Sequence, residues 1–154
     1  MAACAFRASA ASSAASREQR WLLLRAGDRT CAVELLAVQE VQRVSDIVPL
    51  RGVRGDIVGI VNLRGQIVPV IDLARRLCFE RAAIDDASRI VVLERGGALA
   101  GLLVSAVTEV VTFPDAALER LSTPFNEISD PSLAGLTRHG GAFALLLDAD
   151  ALVR

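Results

Sequence analysis

An internal repeat constrains the fold of this chain more strongly than any other feature of its sequence. Glycine, glutamate and aspartate recur together with apolar residues when the sequence is shifted by 69 positions in one part and by 76 in another. The aligned pairs are Trp21–Gly27 with Ile90–Gly96, Ala37–Val41 with Ala106–Val110, Gly65 with Gly141, and Asp72 with Asp148. Chance similarity between apolar strands explains these matches poorly, because polar and glycine positions repeat as well. The repeat therefore indicates two half-domains with one strand order, at residues 21–80 and 88–154.

Short apolar segments separated by glycine-containing turns predict a mainly β chain. Four pairs of strand-length segments flank such turns, which is typical of hairpins. The turns are Gly27-Asp28, Leu63–Gly65, Gly96-Gly97 and His139–Gly141. Asp72 and Asp148 each precede a short helical segment that they could cap. Pro69 cannot donate a ladder hydrogen bond, so its strand, Gln66–Ile71, should be an edge strand or carry a bulge. We predict two small closed barrels, because closure removes exposed strand edges.

The first twenty residues differ in composition from the rest of the chain. Alanine and serine make up twelve of the fifteen residues from 2 to 16. We expect a disordered leader over residues 1–20 and ordered structure from Trp21, although the composition also resembles that of an organelle transit peptide. No apolar run approaches the roughly 18–20 residues that a membrane-spanning helix needs.

Composition argues against most catalytic and nucleic-acid-binding functions. The 17 basic residues, all of them arginine, are offset by 18 acidic residues, so binding to nucleic acid by bulk charge is not expected. A chain without lysine cannot supply the lysine of a phosphate-binding loop. Cys4, Cys31 and Cys78 are widely spaced, and the single histidine, His139, lies in a glycine-rich turn, where we expect a surface residue. We therefore expect no catalytic set, no metal site and no cofactor.

The turn after Asn62 is the most distinctive local feature. Asn62 and Gly65 suit a tight hairpin, whereas Arg64 adds a permanently charged guanidinium with five donors in a planar fork. Glu40, in the segment AVQEV, is its natural ion-pair partner; the alternative is that Arg64 is solvated. Such a pair would fix the turn rather than add much stability, since exposed pairs contribute about 0–1 kcal/mol.

The segment Val58–Leu73, which reads VGIVNLRGQIVPVIDL, resembles the hallmark stretch of the CheW family, the adaptors of bacterial chemotaxis signalling. Supporting blocks are Ala37–Val41, Gly101–Val110 and Ala144–Asp148. The resemblance extends from about Trp21 to Val153. It implies a CheW-like domain over residues 21–154, built as two packed five-stranded SH3-like β-barrels with short helices.

The resemblance also implies a function without catalysis. Family members couple chemoreceptors to a CheA-type histidine kinase, in the cytoplasm at membrane-associated receptor arrays. The implied partners are the regulatory domain of that kinase and the cytoplasmic tip of methyl-accepting chemoreceptors, without nucleic acid and without direct membrane insertion. A scaffold of a non-flagellar chemosensory pathway, serving surface motility or biofilm formation, is the alternative.

Two sets of binding residues follow from the resemblance. The receptor-binding set is Val38, Glu40, Gly59, Asn62, Arg64, Gly65 and Val107. The absence of a side chain at Gly59 is expected to let a partner helix approach, while Val38 and Val107 either line the groove or pack in the core. The kinase-binding surface is placed at Ile47, Val48 and Leu50, because these apolar residues lie near Pro49 between strands, where a core position is less natural.

Overall fold

The computed structural model describes residues 18–52, 55–77, 84–114, 117–120 and 132–153. Within these ranges the chain is mainly β, as the sequence predicts. The strands are β1 (Glu18–Ala26), β2 (Arg29–Glu34), β3 (Val38–Arg43), β4 (Val48–Pro49), β5 (Ile57–Leu63), β6 (Gln66–Asp72), β7 (Arg89–Arg95), β8 (Ala98–Val104), β9 (Ala106–Pro114), β10 (Glu119–Arg120), β11 (Leu133–His139) and β12 (Ala142–Leu147). A 3₁₀ turn (Leu35–Ala37) and the short helices α1 (Leu73–Arg76) and α2 (Ala149–Val153) complete the described elements. No helix in these ranges has the length and apolarity needed to cross a bilayer.

The local predictions agree with the structure. All four predicted hairpins form, as β1–β2, β5–β6, β7–β8 and β11–β12. Asp72 caps α1 by accepting a hydrogen bond from the backbone N–H of Arg75 at 3.3 Å, and Asp148 accepts one from the N–H of Asp150 at 3.0 Å at the start of α2. Strand β1 begins at Glu18, slightly before the expected start of order at Trp21. Residues 1–17, and with them Cys4 and most of the predicted leader, lie outside the described residues, as does Cys78.

The strands form two six-stranded sheets. Sheet A has the order β10-β11-β12-β2-β1-β9, and sheet B has the order β3-β7-β8-β6-β5-β4. Each sheet has one strand more than the five expected, since the two-residue strands β4 and β10 each lie at an edge.

Neither sheet is built from the strands of one sequence half alone, at residues 21–80 or 88–154. Hairpin β1–β2 lies in sheet A with the strands of the second half, and hairpin β7–β8 lies in sheet B with those of the first. Parallel pairs, β12 with β2 and β6 with β8, hold the exchanged hairpins in place. Hairpins β1–β2 and β7–β8 are equivalent in the repeat, so each sheet still contains one copy of every kind of strand after the exchange. The repeat alone therefore cannot reveal the exchange.

Three apolar clusters form the interior. A central core lies between the sheets and takes residues from both, including Leu24, Leu102 and Leu147. A second cluster, around Trp21, belongs to sheet A, and a third, around Val68, belongs to sheet B. Strand β1 is covered on both faces, which explains why its apolar run does not alternate with polar residues. Burial of each large apolar side chain stabilises the fold by roughly 1.5–3 kcal/mol.

The expectation for Pro69 is wrong in its main part. Strand β6 is not an edge strand, because it lies between β5 and β8. Pairing with β8 begins only at Val70, however, and Pro69 is paired with Ile60 of β5 alone. The missing N–H therefore costs no hydrogen bond to β8. The irregularity of register lies in β5, between Ile57 and Gly59, rather than in β6.

Candidate functional site

The turn between β5 and β6 has the backbone of a two-residue hairpin turn. Arg64 and Gly65 have φ values of 51° and 84°, and positive values at both positions are what a type I′ turn requires. The side-chain oxygen of Asn62 accepts a hydrogen bond from the N–H of Gly65 at 2.9 Å. These contacts confirm that Asn62 and Gly65 shape the turn.

Arg64 occupies a position where glycine would be easier to accommodate. It is the one non-glycine residue with positive φ in the described part of the chain. The corresponding first turn positions of β7–β8 and β11–β12 are Gly96 and Gly140, with φ values of 58° and 60°. A left-handed backbone costs a residue with a Cβ roughly 1–2 kcal/mol. Turn geometry therefore does not favour an arginine at this position.

The predicted ion pair between Arg64 and Glu40 is present. Nη2 of Arg64 lies 3.4 Å from Oε2 of Glu40. The arginine side chain is 77% exposed and the glutamate side chain 23% exposed. That oxygen of Glu40 is shielded from solvent and makes no hydrogen bond, so the contact is electrostatic. Because the arginine is so exposed, the pair adds at most about 1 kcal/mol to stability.

The ion pair also shows how sheet B is shaped. Glu40 lies on β3 at one end of the strand order, whereas Arg64 lies at the β5–β6 turn near the other end. A separation of 3.4 Å between their side chains requires the sheet to curl toward a closed barrel.

Sheet A carries a corresponding contact that the sequence reasoning missed. His139 Nε2, at the end of β11, lies 3.3 Å from Oε2 of Glu109 on β9. Its ring packs edge-on against Phe113, with the centroids 6.0 Å apart. The internal repeat could have indicated this contact, because it aligns Glu109 with Glu40 and places His139 one position before the equivalent of Arg64. His139 is thus part of a contact between strands and not a free turn residue.

Val38 and Val107 occupy matching places on the two sheets. Val38 lies on β3 of sheet B and Val107 on β9 of sheet A, and both are half-buried against the central core. The core-packing interpretation is therefore correct for part of each side chain. The seam is the boundary between the two sheets, where Val38 packs against the central core from sheet B and Val107 from sheet A.

The expectation that Gly59 leaves room for a partner helix is wrong. Strand β4 pairs with β5 here, with Pro49 opposite Gly59 and Val48 opposite Ile60. A Cβ added at Gly59 would overlap the carbonyl oxygen of Val48 and lie 2.8 Å from Cγ2 of Ile47. The chain's own backbone therefore fills the space that the missing side chain leaves. Gly59 belongs structurally with Ile47 and Val48 and not with the Arg64 turn.

The segment before β5 is only partly a surface. Ile47 is half-buried and packs against the sheet B core, so the expectation that a core position is unnatural in this segment is wrong for this residue. Val48 and Leu50 are 56% and 40% exposed. Of the three predicted kinase-binding residues, Val48 and Leu50 therefore expose apolar side chains to a partner.

Comparison with known proteins identifies the family. Residues 20–154 match the family model of the CheW-like domain. The chain belongs to the CheW family. Its fold is similar to that of the scaffolding protein TtCheW from Thermoanaerobacter tengcongensis, with a TM-score of 0.78, 26% sequence identity, and coverage of 86% of this chain and 85% of that chain. No curated protein matches the chain in sequence. The resemblance inferred from Val58–Leu73 is confirmed, together with a fold of two SH3-like β domains.

This CheW-family chain has a buried thiol at Cys31. Cys31 lies in the central core, where burial raises its pKa from 9.0 to about 12, an effect that Arg29 partly offsets. The thiol therefore stays protonated and is a poor nucleophile at neutral pH. Across the described ranges, no three His, Cys, Asp or Glu side chains gather into a set that could hold a metal ion. What the site offers a partner is charge and apolar surface.

Proposed function

We propose that this chemotaxis scaffold is a non-catalytic adaptor that couples chemoreceptors to a CheA-type histidine kinase. Its partners would be the cytoplasmic tip of methyl-accepting chemoreceptors and the regulatory domain of the kinase, in the cytoplasm at receptor arrays. The observation that carries the proposal is Arg64, which is retained in a strained backbone conformation with its guanidinium exposed beside Glu40. An exposed charged group on a residue with a strained backbone conformation is typical of a binding site.

The receptor contact is assigned to the seam and the adjoining turn. Val38 and Val107 supply apolar surface from the two sheets, and the Glu40–Arg64 pair, supported by Asn62 and Gly65, supplies polar contacts beside it. A helix packed in a groove uses this combination, in which apolar anchors insert and polar groups set the orientation. Gly59 acts indirectly here, by allowing β4 to pair with β5.

The kinase contact is assigned to the opposite edge of sheet B. Strand β4 is the edge strand there, and Val48 and Leu50 expose apolar side chains beside it. An unpaired strand edge with exposed apolar residues is a suitable surface for docking of another β domain. Ile47 positions this edge from within, through its contact with the sheet B core.

Simultaneous binding would transmit the signal. Two linked weak contacts hold a complex more tightly than either contact alone, because the second forms at a high effective concentration. A change of receptor state alters kinase activity only if the contacts differ in free energy between the two states.

Reconstitution with purified components tests the proposal. The chain is mixed with a CheA-type kinase and a receptor cytoplasmic fragment from the same organism, and complex formation and kinase autophosphorylation are measured. We expect Arg64→Gly to lose receptor binding and keep kinase binding, and Val48→Asp to do the reverse. A wild-type chain that binds neither partner would refute the function. Folded variants that weaken both contacts equally would refute the division into two surfaces.

A further inference from the structure

Arg95 connects the two sheets through its side chain. It is the last residue of β7 in sheet B. Its Nη2 lies 3.5 Å from Oε2 of Glu34, the last residue of β2 in sheet A. Its Nε lies 3.5 Å from Oδ1 of Asp150, in the helix α2 that follows β12 of sheet A. A guanidinium from sheet B therefore faces two carboxylates attached to sheet A, and we call these three residues the inter-sheet clamp.

The clamp lies where the chain crosses from one sheet to the other. The 3₁₀ turn Leu35–Ala37 joins Glu34, at the end of β2, to Val38, at the start of β3. Strand β7 contacts both ends of this crossover. Leu93 pairs with Val38 in the strand register, and Arg95, two residues further along β7, reaches Glu34. A rotation of one sheet against the other would therefore separate Arg95 from Glu34.

The two valines of the seam belong to the strands that the clamp joins. Val38, on the sheet B side, pairs with Leu93 on the same strand as Arg95. Val107, on the sheet A side, lies on β9, which pairs with β1. Strand β1 pairs in turn with β2, the strand that ends at Glu34. The contact between Arg95 and Glu34 thus links the sheet that carries Val38 to the sheet that carries Val107.

We propose that Arg95 is a positioning residue for the receptor contact, which holds the two sheets at the angle at which Val38 and Val107 form one groove. The inference rests on the proposed function, because this groove is the one assigned to the receptor tip. The side chains of Arg95 and Glu34 are 34% and 33% exposed, and ion pairs with such access to solvent contribute little to global stability. The clamp therefore acts on the arrangement of the sheets and not on whether the chain folds.

Loss of the clamp lowers receptor affinity by reducing the share of molecules whose groove has the correct shape. The apparent dissociation constant rises in inverse proportion to that share. A partly exposed ion pair biases such an equilibrium by no more than about fivefold, so receptor binding should weaken about two- to fivefold. The kinase contact at Val48, on β4, is made by sheet B alone and is independent of the angle between the sheets.

The test measures binding of the full chain to a receptor cytoplasmic fragment and, separately, to a CheA-type kinase, both by calorimetry. Wild type is compared with Arg95→Gln, with Glu34→Gln, with the double variant, and with Arg95→Lys, which keeps the positive charge. Arg89→Gln is the matched control, because Arg89 begins the same strand and its Nη1 donates to the nearby backbone carbonyls of Asp86 and Ser88 at 2.7 Å. Circular dichroism checks the folding of each variant, and Glu34→Gln carries the comparison if Arg95→Gln does not fold.

We expect Arg95→Gln to bind the receptor fragment about two- to fivefold more weakly and to keep wild-type kinase affinity. The double variant should lose no more than Arg95→Gln alone, since the two side chains act as one unit. Arg95→Lys should recover part of the loss, and Arg89→Gln should bind both partners as the wild type does.

Three results would overturn the inference while leaving the proposed function intact. They are wild-type receptor affinity in Arg95→Gln, an equal loss of kinase affinity in that variant, and additive losses in the double variant. Absence of wild-type binding to either partner would instead overturn the proposed function, and the inference with it.

Discussion

Replacing Arg64 with glycine separates the contribution of this residue to binding from its contribution to folding. Its backbone has φ of 51°, which glycine adopts freely, so the substitution relieves roughly 1–2 kcal/mol of strain. Against this gain stand the loss of an ion pair whose arginine is 77% exposed, about 0–1 kcal/mol, and the extra freedom of glycine in the unfolded chain, roughly 0.5–1 kcal/mol. These terms nearly cancel, so the free energy of unfolding should change by less than about 1 kcal/mol.

Binding should respond much more strongly than stability. A charged side chain at the centre of an interface commonly contributes more than about 1 kcal/mol, and a loss of about 1.4 kcal/mol weakens affinity tenfold. We therefore expect Arg64→Gly to bind a receptor fragment at least about tenfold more weakly, while its melting temperature stays within about 4 °C of wild type. Calorimetric titration and thermal unfolding followed by circular dichroism measure the two quantities.

Arg64→Ala is the matched control, because it removes the same side chain but keeps a Cβ in the left-handed conformation. It should lose as much binding as Arg64→Gly and be less stable than that variant by about 1 kcal/mol. Wild-type receptor affinity in a folded Arg64→Gly protein would refute the role of the side chain. Equal stability of the two variants would refute the argument from backbone strain.

Three further predictions concern the framework that holds the site. Gly59→Ala should lower the free energy of unfolding by about 1–3 kcal/mol, because the added methyl group overlaps the carbonyl of Val48. Urea unfolding measures this change. A variant as stable as the wild type would contradict the packing of β4 on β5. Cys31 should resist iodoacetamide in the folded protein at pH 8, as mapped by mass spectrometry, because burial raises its pKa to about 12. For the same reason, the contribution of the protonated Cys31 thiol to the free energy of unfolding should be complete below pH 9.0 and decrease as the pH rises toward 12, since the unfolded chain releases the thiol proton first. Rapid modification of Cys31 by iodoacetamide at pH 8 would argue against its burial. Asp56→Ala should destabilise the fold by about 1–3 kcal/mol, because it removes a carboxylate that lies 3.2 Å from Nη1 of Arg76 where both side chains are 12% exposed. A change below about 1 kcal/mol in urea unfolding would contradict a contribution of this contact to stability.

Predictions that depended on neighbouring residues agreed with the structure. The Arg64-Gly65 turn and the Asp72 cap follow from the preferences of residues a few positions apart, and both were read from the sequence. The Glu40–Arg64 pair spans a larger separation, but the hallmark segment and the opposite charges pointed to it. Strand β4 was missed because two residues that include Pro49 carry no strand pattern.

The failures involved contacts between distant segments. Gly59 was interpreted through the space that a glycine leaves, but that space depends on where Ile47 and Val48 lie, and only the pairing of β4 with β5 settles this. His139 is partly exposed, as predicted for a residue in this turn, but its contact with Glu109, thirty residues earlier in the chain, was not predicted. In the repeat, His139 aligns with Leu63, so the two halves differ at this position. The difference is visible in the sequence, but the contact that it allows is not.

The amino-acid sequence by itself determined the strand-turn-strand units, the helix caps, the duplication and the family, because turn chemistry and apolar patterning act over a few residues and survive in any packing of the chain. Only the tertiary structure decided which hairpin joins which sheet, what occupies the space above Gly59, and which base meets Glu109. These outcomes depend on strand pairings such as β1 with β9 and β6 with β8. Two equivalent hairpins satisfy the same local preferences in either sheet, so the choice between them rests on the packing of the whole domain.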